Sequence, residues 1–96
     1  MANLHEANLK RAYFNEALLT DTDLSGSDLS SAYFFWTTLH RANLSFARLE
    51  GTKLDSTKFI EVDLTGAILT NLRLFKRDFI GTDISKAYLQ RVRYYD

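Results

Sequence analysis

The chain has 96 residues, of which 46% are hydrophobic and 25% charged, with twelve basic residues set against twelve acidic ones. That balance argues against a strongly basic nucleic-acid module, and the apolar content argues against a chain that stays unfolded. The absence of cysteine excludes disulfide staples, thiolate catalysis, zinc–thiolate sites and iron–sulfur clusters, and so short a chain has room for one small domain whose core must first be located.

Read from the N-terminus, apolar residues recur at every fifth place: Leu4, Leu9, Phe14, Leu19, Leu24, Leu29, Phe34, Leu39, Leu44, Leu49, Leu54, Phe59, Leu64, Leu69, Leu74, Phe79, Ile84, Leu89 and Tyr94. All nineteen places are filled, which at 46% apolar content would arise by chance on the order of once in a million sequences. A step of five advances by about 500° around a helix of 3.6 residues per turn, so these side chains draw no helical stripe. The spacing equally breaks the alternation of an ordinary strand.

Two places before each central residue the chain is small: Ala2, Ala7, Ala12, Ala17, Thr22, Ser27, Ala32, Thr37, Ala42, Ala47, Thr52, Thr57, Ala67, Thr82 and Ala87. The exceptions, Val62, Leu72, Arg77 and Val92, all fall in the second half. Together the two frames hold 31 of the 44 apolar residues. One large and one small inward residue per unit of five, in units too short to fold alone, call for a chain that winds on itself and stacks turn upon turn.

Ala2-Asn3-Leu4, Ala7-Asn8-Leu9, Asp23-Leu24, Asp28-Leu29, Ala42-Asn43-Leu44 and Asp63-Leu64 resemble the A-(D/N)-L-x-x unit of pentapeptide-repeat proteins, and the resemblance runs without a break from residue 2 to residue 96. It implies an all-β fold: a right-handed quadrilateral parallel β-helix of about 4.75 coils, four units and 20 residues to the coil, forming one domain over residues 1–96. A period of twenty supports the four-sided coil. It places Asn3, Asp23, Asn43, Asp63 and Asp83 in one column, Phe14 beneath Phe34, and Phe59 beneath Phe79. Gly26, Gly51, Gly66 and Gly81 all stand at the last place of a unit, where corners can use positive φ, and the chain has no proline to interrupt stacked rungs.

Little in the sequence points to catalysis. His5 and His40 fall on different sides of the coil, and no nucleophile elbow, zinc-binding helix motif, phosphate loop or dinucleotide fingerprint is present. The expectation is a non-enzyme with no cofactor, no metal and no small-molecule substrate. The longest apolar run, Ala32 to Trp36, spans five residues against the roughly 20 of a membrane helix, and no basic segment leads into an apolar one at the N-terminus, so a cytoplasmic protein without membrane contact is expected. The Asn/Asp column is expected to bond its own backbone at the turns.

The third unit of each coil is different. Its outward places carry Tyr13, Tyr33, Phe35, Phe75 and Tyr95, with Trp36 beside Phe35, and these six residues are the candidate protein-binding surface. Lys53, Arg73 and Arg93 share that side, yet without net positive charge nucleic acid is not an expected partner. Charge is unevenly spread: residues 1–70 hold six basic and nine acidic residues, a balance of −3, and residues 71–96 hold six and three, a balance of +3. Solenoids normally carry polar caps, so the expectation is either a part of a longer protein or association through an end, with Leu89, Tyr94 and Tyr95 the candidates and a C-terminal homodimer preferred.

The expected function is therefore a non-catalytic binding or scaffold module working through protein–protein contacts or self-association. The resemblance offers an alternative, a DNA-mimicking inhibitor or protector of a type II topoisomerase such as gyrase, as in quinolone-resistance members of the family. Such a mimic is an acidic rod, whereas this chain is neutral and basic on its third side.

Overall fold

In the computed structural model, which describes residues 2–96, neighbouring stretches of chain pair in parallel and residue i always meets residue i+20, as in Leu18 with Thr38. A constant offset of one coil is the geometric signature of a chain wound four units to the turn. The coils are taken as residues 2–21, 22–41, 42–61, 62–81 and 82–96, and the four sides are named in order from the one carrying Leu4.

The fourth side is the most regular. Its strands β1 (Leu18–Thr20), β2 (Thr38–His40), β3 (Lys58–Ile60) and β5 (Phe79–Ile80) form one sheet in the order β1-β2-β3-β5. Strands β4 (Ile68–Phe75) and β6 (Tyr88–Tyr95) run over the second and third sides of the last two coils and form a second sheet. Elsewhere single-residue bridges join the rungs: Asn3–Asp23–Asn43–Asp63 on the first side, Asn8–Asp28–Arg48–Ile68 on the second and Tyr13–Tyr33–Lys53 on the third. The whole is a quadrilateral parallel β-helix.

Inside runs the column of central residues. Leu24, Leu29, Phe34, Leu44 and their equivalents up to Leu74 are buried, whereas Leu4, Leu9, Phe14 and Leu19 below, and Phe79 and Ile84 above, are only partly covered. In-register stacking lays Phe14 on Phe34 with centroids 5.0 Å apart, and Phe59 on Phe79 at 4.5 Å.

Corners follow from the small frame. The N–H of the small residue donates to the carbonyl of the preceding central residue, as Ala7 does to Leu4 at 3.1 Å, and the residue between them takes positive φ, as Glu6 does at 57°. These are the marks of a type II turn. Glycine is favoured at that third place without being required: among others Glu16, Trp36 and Phe46 adopt it. The fourth corner lacks the internal bond, and the chain is held there from the coil above, for example by Asp21 N–H donating to His40 O at 2.9 Å.

Arg77 departs from the frame. By position it should point inward, but an unpaired guanidinium has no place in an apolar column. The chain instead makes a 3-10 turn over Lys76–Asp78, which leaves Arg77 outside, donating from Nη1 to Asp96 O at 3.0 Å and lying 5.3 Å from the Phe75 ring centroid. The same turn buries Asp78 to 2% exposure, where Lys58 Nζ donates to it at 2.7 Å.

A change from small to large in the inward frame also coincides with two breaks in the stacking. In the lower coils the third side is continuously bonded: Phe14 N–H to Tyr33 O at 2.7 Å, Phe34 N–H to Lys53 O at 2.8 Å, and Lys53 N–H to Ala32 O at 3.0 Å. One coil higher, no hydrogen bond joins Leu54 N–H to Arg73 or Arg73 N–H to Thr52, and the bridge ladder stops at Lys53. This rung lies between Leu72 and Arg77, two of the large exceptions. A second break lies on the first side above Val62, where no hydrogen bond joins Leu64 N–H to Asp83 or Asp83 N–H to Val62 and the bridge ladder stops at Asp63. Close-packed interiors do not absorb added methylenes without moving backbone, and the coils part where Thr52 meets Leu72, while Leu72 and Val92 pair in register in the β4–β6 sheet.

Candidate protein-binding surface

On each rung the residues flanking the central one point outward, so equivalents one coil apart stand over each other at the strand spacing of about 4.8 Å. Flat rings at such places stack. Tyr13 and Tyr33 have centroids 4.5 Å apart and planes 7° apart, and Phe35 leans on Tyr33 at 6.2 Å and 46°. Asn15 accepts the Phe35 N–H at 3.2 Å, which fixes the rung that carries the ring. Trp36 occupies the next corner at φ 61° and is 69% exposed.

Phe75 and Tyr95 stack separately at 5.2 Å, with Arg77 over Phe75. Between the two groups stand Lys53 and Asp55, and Asp55 pairs with Arg73 at 3.7 Å. The six candidates therefore form a lower stack of Tyr13, Tyr33 and Phe35 with Trp36 at the next corner, and an upper pair, divided by charge. Leu89, Tyr94 and Tyr95 are exposed on β6, which is an edge strand.

Phe46 was not singled out by the sequence reading. It is a corner residue, 66% exposed, and its ring lies against Gly66 of the next coil so closely that a Cβ there would collide with it. The signal was present in its own column, where Gly26 and Gly66 flank it below and above. Leu18 and Tyr88 are likewise exposed.

The Asn/Asp column does what turn chemistry predicts. Asp23 Oδ1 accepts from the Ser25 N–H at 3.0 Å and from its hydroxyl at 2.6 Å; Asn43 accepts from the Ser45 N–H at 2.9 Å, Asp63 from the Thr65 N–H at 2.9 Å, and Asp83 from the Ser85 N–H and hydroxyl. Hydroxyl and backbone donors from Ser25 and Ser85 hold Asp23 and Asp83 below the usual carboxylate range, and the same donors on Thr65, backbone first, do so for Asp63. The Arg41 side chain, bonded at 2.8 and 3.0 Å, lowers Asp21 in the same sense.

His5 Nδ1 lies 2.8 Å from Ser25 Oγ, while His40 neighbours Arg41 on another side. Among the described residues no three His, Asp or Glu side chains are grouped to hold a metal ion, and no helix is long and apolar enough to cross a membrane.

A family model described as pentapeptide repeats (8 copies) matches residues 2–34 and 32–71. The chain belongs to the pentapeptide-repeat family. Among solved structures, a pentapeptide repeat protein (Rfr23) from the cyanobacterium Cyanothece 51142 is 24% identical with a TM-score of 0.51, covering 100% of this chain and 60% of its own. The pentapeptide-repeat chain thus spans 60% of the length of that neighbour, and the likeness concerns the fold. The pentapeptide repeat protein alr5209 from Nostoc Pcc 7120 is 19% identical over 91% of this chain and 79% of its own, with a TM-score of 0.25. No curated protein matches.

Proposed function

We propose that this pentapeptide-repeat chain is a non-catalytic binding module that docks a protein partner on the aromatic third side of its lower coils. One observation carries the reading: Tyr13, Tyr33 and Phe35 stack on two adjacent rungs with Trp36 at the next corner, Tyr13 and Trp36 exposed and Tyr33 and Phe35 half-buried. Aromatic anchors on a rigid frame lose little conformational freedom on binding, which is why Tyr and Trp dominate interface energetics. The proposal extends to self-association: β6 presents a free strand edge with Leu89, Tyr94 and Tyr95 exposed beside it, the arrangement that invites a second copy. No observation favours a topoisomerase-directed DNA mimic over these readings.

Both parts are tested with the full chain. Immobilised wild type is compared with Trp36→Ala and Phe35→Ser for a retained protein partner, with circular dichroism reporting the fold. Loss of the partner from both folded variants supports the aromatic side, and equal retention by all three defeats it. Light scattering at on the order of tens of micromolar decides self-association. A dimer dispersed by Tyr94→Lys is expected, and a strict monomer overturns that part.

A further inference from the structure

A crevice of about 690 Å³ at the third-side break is lined by residues of coils three, four and five, and we propose that it binds a small, multiply charged oxyanion. Its volume suits a small ligand. Four cations line it, Lys53, Arg73, Arg91 and Arg93, against the single carboxylate of Asp55, an excess of three positive charges on a chain whose net charge is zero.

These cations are gathered at some cost. Arg73 and Arg93 are direct register partners in the β4–β6 sheet, and like charges directly opposite repel each other. Asp55 meets only Arg73, at 3.7 Å, and among the described residues Arg93 has no ion pair. Asn71 Oδ1 accepts from Arg91 Nε at 2.7 Å, fixing the guanidinium while leaving its terminal nitrogens to donate to a ligand.

The backbone adds donors. Among the described residues no backbone carbonyl accepts the Leu54 N–H, and the N–H of Arg73 lacks the bond to Thr52 that corresponds to Lys53 N–H to Ala32 O one coil below. Leu54 and Arg73 both line the crevice, so these amides are free to donate to a group bound in it. Leu72 and Val92, also in the lining, lower the local dielectric and strengthen each charged contact. Forked cations, unpaired amides and an apolar wall together describe a receptor for phosphate or carboxylate groups.

The test titrates inorganic pyrophosphate into the full chain by calorimetry, with chloride matching ionic strength in the reference. Saturable one-to-one binding is expected, weakened about tenfold or more by Arg93→Gln and by Lys53→Gln, and unchanged by Arg11→Gln on a distant corner. No saturation at millimolar pyrophosphate overturns the proposal, as does equal weakening by Arg11→Gln, which marks general screening. Should a variant fail to fold, amide spectra of the wild type decide: Leu54 and Arg73 must shift on titration, and silence there overturns the site.

Discussion

The lower three coils and the upper two are written in the same five-residue frame and stack differently. Below, Ala12, Ala32 and Thr52 occupy one inward column, and each third-side rung bonds the next without interruption. Above, the column continues with Leu72 and Val92, and the rung that begins at Leu72 loses its bonds to the coil beneath. The central residues are apolar throughout, so they do not account for the difference. Coil-to-coil contact on this side depends on like meeting like among the inward residues: Ala12, Ala32 and Thr52 stack in register, Leu72 and Val92 pair in register above them, and the bonds fail at the step from Thr52 to Leu72.

The largest test of this contrast is truncation of matched aromatic rungs. Phe34→Ala removes a fully buried ring stacked between coils and should cost about 3–5 kcal/mol in urea denaturation. Tyr94→Ala, in the same frame but half exposed on the last coil, should cost less than about 1 kcal/mol. Equal costs would erase the distinction between the two regions. Next in size, Ala32→Leu transplants the upper pattern into a fully buried place of the lower coils. It should cost about 1–3 kcal/mol and expose the Phe14 amide, now bonded to Tyr33 O, to faster hydrogen exchange.

Thr37→Val removes a hydroxyl that donates at 2.5 Å to Phe14 O one coil below, a staple repeated by Thr57 to Phe34 O, and should cost about 1 kcal/mol. The smallest effect is acid sensitivity. Asp21, Asp23, Asp63 and Asp83 have folded-state values depressed below 3.8, so the stability they contribute is fully present above that value and disappears as pH falls through the lower folded values. Thermal denaturation should be flat in pH above the ordinary carboxylate range and decline below it, and a decline beginning near neutrality would contradict these assignments.

The coil itself was legible because it rests on period alone: nineteen filled places and a twenty-residue column of Asn and Asp leave few other ways to bury the chain. Even the irregular region was visible as Val62, Leu72, Arg77 and Val92, though not its consequence. Whether a bulky inward residue is absorbed, as when Arg77 is turned out, or prises coils apart, as at Leu72, depends on backbone geometry that spacing does not carry. Asp78 illustrates the limit, since its place in the frame is outward and only the 3-10 turn buries it against Lys58. The aromatic side was legible as a set of residues. Its division by Lys53 and Asp55 into a lower cluster and an upper pair depends on which rings touch.

Hydrogen exchange at single amides tests the central claim most directly, comparing Phe34 and Lys53 with Leu54 and Arg73 in the wild type and in Leu72→Ala. Sites bonded between coils should exchange at least about tenfold more slowly than sites at the break, and the Leu54 and Arg73 amides should slow once Leu72 is trimmed. If all four amides are equally protected in the wild type, or if trimming Leu72 leaves Leu54 and Arg73 unchanged, the step from Thr52 to Leu72 does not open the break between the coils.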